Sequence, residues 1–389
     1  MNRSIFAYIL LMCTSATAAA QSVFAPAIER AVAADPAIAA AAARDEAAVS
    51  RMRSENTLEG PEAEFEYMFS SVDAEPNKWS AGISQEFSMP GVYSARSAAA
   101  RATSQAGKAA LDVMRFDRAL VIKQAIIDLI NSSCRLNLLR DLRTNIDRIS
   151  ELTTKSFDTG NATILDLRKM QLAVLDSDNA IAAARAEFEQ LHASLLSMQV
   201  DADAFTPAML SAYPEMKLEV GDFAPMQAMI DAQSRAAGAE ASVARRSSLP
   251  SVSVGYRHAY EEGTHFNGFG ISLRLPQWSR SNRTRAAKLE AEAVAFDASA
   301  QRIAFDAETD ALMRQATHDA MCIERYRDLT SDNSYLELLR KSFEAGQLSV
   351  IDYLTEINLF TTARQNYLDL QYRHALTLVR LGRYNSIDF

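Results

Sequence analysis

The segment Lys341-Ser-Phe-Glu-Ala-Gly-Gln-Leu-Ser-Val-Ile-Asp352 lies between two long helical runs and has the character of a bend between them. Gly346 is the only glycine between Gly270 and Gly382, and a lone glycine there suits the left-handed conformation that ends a helix. The segment occurs earlier as Lys155-Ser-Phe-Asp-Thr-Gly-Asn-Ala-Thr-Ile-Leu-Asp166, at an offset of 346 − 160 = 186 residues. The repetition predicts two helical hairpins with the same bend, at 155–166 and 341–352.

Other landmarks recur in the same order at nearly the same offset. The matched pairs are Pro36 with Pro225, Pro61 with Pro250, and Ile83 with Ile271. A period near half the chain indicates an internal duplication into two similar lobes, and not a solenoid of short units. The sequence therefore predicts a first repeat at 21–200, a linker at 201–222 and a second repeat at 223–389.

Each repeat contains two stretches in which apolar and polar residues alternate, which is typical of strands with one apolar face. In the last stretch Ile271 lies on the apolar face and Ser272 on the polar face. The predicted strands are 63–70, 79–88, 251–260 and 268–275. Glycine (13) and proline (10) are scarce in 389 residues, which favours long uninterrupted helices. The expected fold is mainly α, with each repeat ordered helix, strand, strand, long helix and return helix.

Composition and motifs exclude several classes of function. The net charge of −9 disfavours a nucleic-acid partner. Phosphate-binding glycine loops, zinc-binding motifs and nucleophile elbows do not occur, so neither an enzyme nor a cofactor is expected. The five histidines are scattered, and none is assigned as a metal ligand. Cys134 and Cys322 fall in corresponding helices; two small buried thiols are favoured over a disulfide, which stays open.

Residues 1–20 resemble a secretory signal peptide, with Arg3 at the charged start and an apolar core that ends at Cys13. Cys13 follows Met12, where a lipoprotein signal would have a small residue, so lipidation is disfavoured without being excluded. No later run reaches the ~18 apolar residues of a membrane-spanning helix. We therefore expect the mature chain to be either periplasmic or inserted in the outer membrane as strands.

Four amphipathic strands are too few to close a barrel, and open strand edges are not tolerated in lipid. Several chains would therefore have to contribute to one barrel. Three chains would supply 4 × 3 = 12 strands, an even number of the kind that bacterial barrels prefer.

The chain resembles the TolC-type outer-membrane efflux protein family. The resemblance lies in the paired strands, in the two Phe-x-x-Gly-x5-Asp bends, and in the segments Ser247-Ser-Leu-Pro-Ser-Val-Ser-Val-Gly255 and Ile271-Ser-Leu-Arg-Leu-Pro276. It covers essentially the whole mature chain. It implies a homotrimer in which a 12-stranded β-barrel is joined to a long α-helical barrel that spans the periplasm.

The resemblance also implies a function. The protein would be a passive outer-membrane exit duct that works with a periplasmic adaptor protein and an inner-membrane pump of the resistance-nodulation-division (RND) type. The segment Ser84-Gln-Glu-Phe-Ser-Met-Pro-Gly91 with Arg96 looks like the heavy-metal (Czc/Cus-like) branch, which suggests metal cations as cargo. Drug efflux or type I secretion through the same fold remains an alternative. A periplasmic coiled-coil adaptor is disfavoured because two strand pairs alternate with two helical hairpins.

In that family the bends form the periplasmic tip, where the adaptor docks. By resemblance the docking residues here are Phe157, Gly160, Phe343 and Gly346. Phe343 stands where some members have a tyrosine.

Asp166 and Asp352 align with tip aspartates at the constriction of that family. Leu348 stands where a basic latch residue can occur, so Arg168 and Lys169 are the candidates for a substitute latch. Both aspartates also suit a purely structural role as capping or first-turn charges of the return helices, and the two roles are compatible.

Overall fold

The computed structural model describes residues 24–69, 77–214, 216, 218, 223–275, 280–330 and 334–385. The predicted signal peptide, including Cys13, lies outside these residues. The helices are α1 (24–33), α2 (Pro36–Ser54), α3 (Pro90–Asp158), α4 (Ile164–Ser197), α5 (Ala224–Arg246), α6 (Arg280–Thr330), α7 (Ser334–Glu344) and α8 (Val350–Leu381). The strands are β1 (Glu62–Met68), β2 (Lys78–Phe87), β3 (Ser251–Glu261) and β4 (Thr264–Arg274).

The described chain forms two compact units. The first takes the described parts of Met1–Ile38, Met114–Phe223 and Phe305–Phe389, and the second takes Ala39–Val113 and Ala224–Ala304. Each sequence repeat contributes to both units, because α3 and α6 run from one unit into the other. The compact units are therefore not the two repeats that the duplication delimits.

The helices follow the sequence signals for helix starts and for long uninterrupted runs. α3 contains 69 residues, which corresponds to roughly 100 Å at 1.5 Å per residue. The N-terminal helical run is divided in two, because the carboxylate of Asp35 caps α2 at Pro36 and accepts from the backbone amide of Ala37 at 2.7 Å. The same carboxylate pairs with Arg118 at 2.6 Å. Among the described helices, none combines the length and the apolar character needed to cross a membrane.

The four strands form one antiparallel sheet in the order β1-β2-β3-β4. β4 begins at Thr264, four residues before the predicted start at 268. Glu262 and Gly263 have φ values of 50° and 80° and form a two-residue turn, so Glu261 pairs directly with Thr264. The alternation did not reveal this extension because Phe266 lies on the polar face of β4 there.

The described part of the predicted linker 201–222 belongs to the first unit and packs within it. The rings of Phe205 and Phe24 meet edge to face at 4.9 Å, and Leu210 is buried. The Tyr213 hydroxyl donates to Asn131 Oδ1 at 3.1 Å, and burial raises the pKa of this phenol. Residues 215, 217 and 219–222 lie outside the described structure.

Both described cysteines are free thiols. Cys134 in α3 contacts the carbonyl of Ser211 at 3.5 Å, and burial raises the pKa of its thiol to about 11. Cys322 in α6 lies 3.6 Å from His318 Nε2, one helical turn away.

Candidate functional site

The two repeated bends have the same backbone structure. Gly160 and Gly346 have φ values of 77° and 69°, the left-handed conformation that glycine adopts without steric cost. The amide of Gly160 donates to the carbonyl of Phe157 at 2.9 Å, and that of Gly346 to Phe343 at 3.0 Å. In each bend the next amide reaches back to a serine carbonyl five residues earlier, at 2.8 Å and 2.9 Å. These paired bonds make each bend a Schellman motif that ends one helix of a hairpin.

The aspartate of each bend closes a capping box at the start of the return helix. The Asp166 amide donates to Thr163 Oγ1 at 3.2 Å, while Asp166 Oδ2 accepts from the Thr163 amide at 3.2 Å. Ser349 and Asp352 make the same exchange at 3.2 Å and 3.3 Å. Hydrogen bonds from the Thr163 side chain and backbone lower the pKa of Asp166. Each 12-residue bend segment therefore ends one helix, turns the chain and starts the next helix.

The sheet has one apolar face and one polar face, and both are extensively exposed. The apolar face carries Phe65, Tyr67, Trp79, Ile83, Val254, Tyr256, Phe269, Ile271 and Leu273. Phe269 is 87% exposed and Ile271 is 80% exposed. On the polar face Arg257 pairs with Glu64 at 2.8 Å, and Arg274 pairs with Glu86 at 2.7 Å. The apolar face of this sheet is therefore not covered by any described element of the chain.

The edges of the sheet are open as well. Within the described residues, β1 pairs only with β2, and β4 pairs only with β3. Exposed edges of this length present rows of backbone donors and acceptors to any neighbouring strand.

Residues 27–198 match the outer membrane efflux protein family. This match covers most of the first repeat. No curated protein sequence matches the chain.

Solved structures of outer-membrane channels have the same fold. The open-state MtrE channel of Neisseria gonorrhoeae is 17% identical, with a TM-score of 0.73 over 93% of this chain and 88% of that chain. VceC of Vibrio cholerae is 13% identical, with a TM-score of 0.74 over 91% and 94%. CusC is 15% identical, with a TM-score of 0.69 over 93% and 92%. The predicted TolC-like arrangement of helices and strands is confirmed by these likenesses.

One apolar core joins the two helical hairpins beside their bends. We call it the bend core; its buried members are Leu138, Leu142, Ile149, Met170, Leu336, Leu339, Val350, Tyr353, Ile357 and Phe360. Phe343 and Leu348 are partly buried against it, and the rings of Phe343 and Tyr353 lie 5.5 Å apart. Burial raises the pKa of Tyr353 to about 12. Leu348 packs against this core and helps to join the hairpins through apolar contact.

The predicted latch residues remain local to α4. Arg168 donates to Gln171 Oε1 at 2.9 Å, and the positive charge of Lys169 contributes to lowering the pKa of Asp166. Close to the bends, a charge contact between the two hairpins involves other residues. Arg148 of α3 lies 4.0 Å from Glu344 of α7, and Arg340 also pairs with Glu344 at 2.9 Å.

The two bends differ in their apolar exposure. Ile164 is 55% exposed, whereas its counterpart Val350 is 7% exposed inside the bend core. Leu165 and Ile351, which precede the two aspartates, are both exposed. Sequence reasoning did not single out these three exposed residues, although apolar residues in the first turn of each return helix were a visible signal.

Proposed function

We propose that this protein is one of three identical subunits of an outer-membrane exit duct in a Gram-negative bacterium, extending into the periplasm. It conducts substrate passively from an inner-membrane RND-type pump and a periplasmic adaptor protein, and performs no chemistry itself. The match to the outer membrane efflux protein family and the fold shared with solved channels support this function.

The amphipathic sheet with two open edges is the observation that carries the proposal. Burying a large apolar side chain stabilises a protein by about 1.5–3 kcal/mol, and lipid supplies such burial for exposed residues like Phe269 and Ile271. The polar face, with its ion pairs and glycines, suits a water-filled interior. Joining the β4 edge of one copy to the β1 edge of the next removes all edges when three copies contribute 4 × 3 = 12 strands.

The bends are the proposed docking tip for the adaptor. The proposed docking residues are Phe157, Gly160, Phe343 and Gly346. Since the ring of Phe343 packs toward Tyr353, its contribution is to fix the shape of the bend. The exposed Ile164, Leu165 and Ile351 lie beside the bends and extend this surface with apolar area, which is typical of protein contacts.

Asp166 and Asp352 are the proposed constriction. Three subunits around a common axis would place three copies of each carboxylate together, and rings of aspartate favour cations. The capping role uses Oδ2 of each carboxylate and leaves the negative charge in place. Arg168 and Lys169, which follow Asp166 on α4, are the proposed latch residues that moderate this charge.

The proposed cargo is heavy-metal cations, on the resemblance of Ser84–Gly91 and Arg96 to the heavy-metal branch. Resistance and secretion assays in a strain without its own channel separate this cargo from the alternatives. Restored resistance to metal salts supports metal efflux, whereas restored resistance to drugs or secretion of a protein substrate assigns the duct to one of the other two systems.

The proposal as a whole is tested by location and assembly mass. Membranes are separated on a density gradient, and the protein is extracted in detergent and weighed by native mass spectrometry. We expect a trimer in the outer-membrane fraction. A monomer in the soluble periplasmic fraction would refute the proposal.

A further inference from the structure

Two histidines face each other on the apolar side of the sheet, close to the β3–β4 turn. His258 of β3 pairs across the ladder with Asn267, and Tyr260 pairs with His265, so the two histidines are diagonal neighbours on one face. Their ring centroids lie 5.2 Å apart. His265 is exposed and His258 is half-buried. Both lie toward the end of the sheet marked by the Glu262–Gly263 turn, away from Ile271 and Leu273 on the same face.

The spacing of the facing ring nitrogens fits shared coordination of a metal ion. Nδ1 of His265 lies 3.2 Å from Nε2 of His258. Two imidazole nitrogens bound at 2.0–2.1 Å to one cation are roughly 3.3 Å apart in a tetrahedral site and roughly 2.9 Å apart at neighbouring positions of a square-planar site. Closing the pair around such an ion therefore requires only a small rotation of the side chains.

Asn267 orients His258 for this role. Its Oδ1 lies 2.8 Å from His258 Nδ1 and also accepts from the Tyr256 hydroxyl at 2.6 Å. Because an amide oxygen only accepts, His258 Nδ1 carries the proton and Nε2 presents its lone pair to His265. A partner that fixes the tautomer of a histidine in this way is typical of metal sites.

Without a metal, His265 Nδ1–H donates to His258 Nε2. When a cation binds, that proton moves to His265 Nε2, so both imidazoles remain neutral and each donates one lone pair. The rings of Trp79 and Tyr260 lie 5.4 Å and 5.0 Å from His258 and His265, respectively, and restrict the rotation of the pair.

We propose that His258 and His265 form a binding site for one divalent transition-metal cation of the Zn²⁺, Cu²⁺ or Ni²⁺ type, with Asn267 as the positioning residue. Imidazole is a preferred ligand of these ions. No third His, Cys, Asp or Glu side chain joins the two histidines, since the described residues contain no metal-binding group of three or more such side chains. Water would therefore fill the remaining coordination positions of the cation. Both ligands and the positioning residue come from β3 and β4, near the turn that joins these two strands.

The test is titration of the purified full-length protein with Cu²⁺, followed by electron paramagnetic resonance. A background of Cys13→Ser, Cys134→Ser and Cys322→Ser removes the thiols that would reduce the ion. We expect one Cu²⁺ per chain with hyperfine coupling to two imidazole nitrogens. We expect His258→Gln with His265→Gln to abolish that signal, and Zn²⁺ to compete for the site.

Two further variants separate a positioned site from nonspecific binding. Asn267→Leu should weaken Cu²⁺ binding at least about tenfold, and Asn267→Asp, which keeps an acceptor oxygen, should restore it. The control His192→Gln, on α4, should leave binding unchanged. Identical titration curves for the parent and the double-histidine variant would overturn the proposal. Absence of Cu²⁺ binding by the parent protein would also overturn it and would show a simple hydrogen-bonded pair.

Discussion

Replacing Ile271 with arginine tests which face of the sheet contacts lipid. Ile271 is 80% exposed on the apolar face of β4, with Phe269 and Leu273 on either side along that face. An arginine on the lipid face near mid-membrane costs about 2–4 kcal/mol. At 1.4 kcal/mol per factor of ten, this cost lowers the equilibrium for insertion by roughly 30- to 700-fold.

Ser272 provides the matched control, because it is the next residue of the same strand and lies on the polar face opposite Ser253. Ser272→Arg adds the same side chain toward the proposed water-filled interior, so its insertion should remain near that of the parent. The assay is the folded fraction in outer membranes, followed by urea unfolding of the extracted protein. Equal losses in Ile271→Arg and Ser272→Arg would refute the assignment of the faces.

The bends provide three further predictions. Gly346→Val should destabilise the bend by about 1–2 kcal/mol or more, because a left-handed residue with a β-carbon is strained, and it should abolish efflux with nearly normal trimer yield. Gly346→Asn should have a milder effect, because asparagine tolerates that conformation. Normal efflux by the valine variant would show that this bend is not the docking tip. Ser349→Ala should cost about 0.5–2 kcal/mol in thermal unfolding by removing the cap of α8, and an unchanged midpoint would show that the cap is dispensable. Asp166→Asn with Asp352→Asn should lower cation selectivity and weaken block by divalent cations in planar bilayers at low salt, and unchanged conductance properties would restrict both aspartates to capping.

The main features of the fold were predictable because they depend on local chemistry that is visible in sequence. The order of helices and strands follows from the spacing of proline and glycine and from the alternation in β1–β4. The sequences of the bend segments at 155–166 and 341–352 determine their backbone conformation. Glycine permits the left-handed turn, and a Ser or Thr three residues before Asp forms a capping box.

Features that depend on distant contacts were not predictable. The exposure of Ile164 and the burial of Val350 differ although their local sequences correspond, because only Val350 enters the bend core. The pairing of Arg148 with Glu344 joins two hairpins far apart in sequence. The His258–His265 contact depends on a strand register set by the Glu262–Gly263 turn, whose two-residue form the alternation pattern did not reveal.

Cross-linking between copies tests the closure of the sheet most directly. In a protein lacking Cys134 and Cys322, cysteine is placed at Phe65 in β1 and, in separate variants, at Phe269 or Ile271 in β4. These residues lie on one face at the two open edges. Oxidation in intact outer membranes should therefore cross-link neighbouring copies for at least one of the two cysteine pairs. The products should be covalent dimers and trimers, with no larger species. Cysteine at Phe65 with cysteine at Ser272, on the opposite face, should give little product. Only monomers from every Phe65 pair, or a ladder that continues beyond trimers, would contradict a sheet closed by three chains.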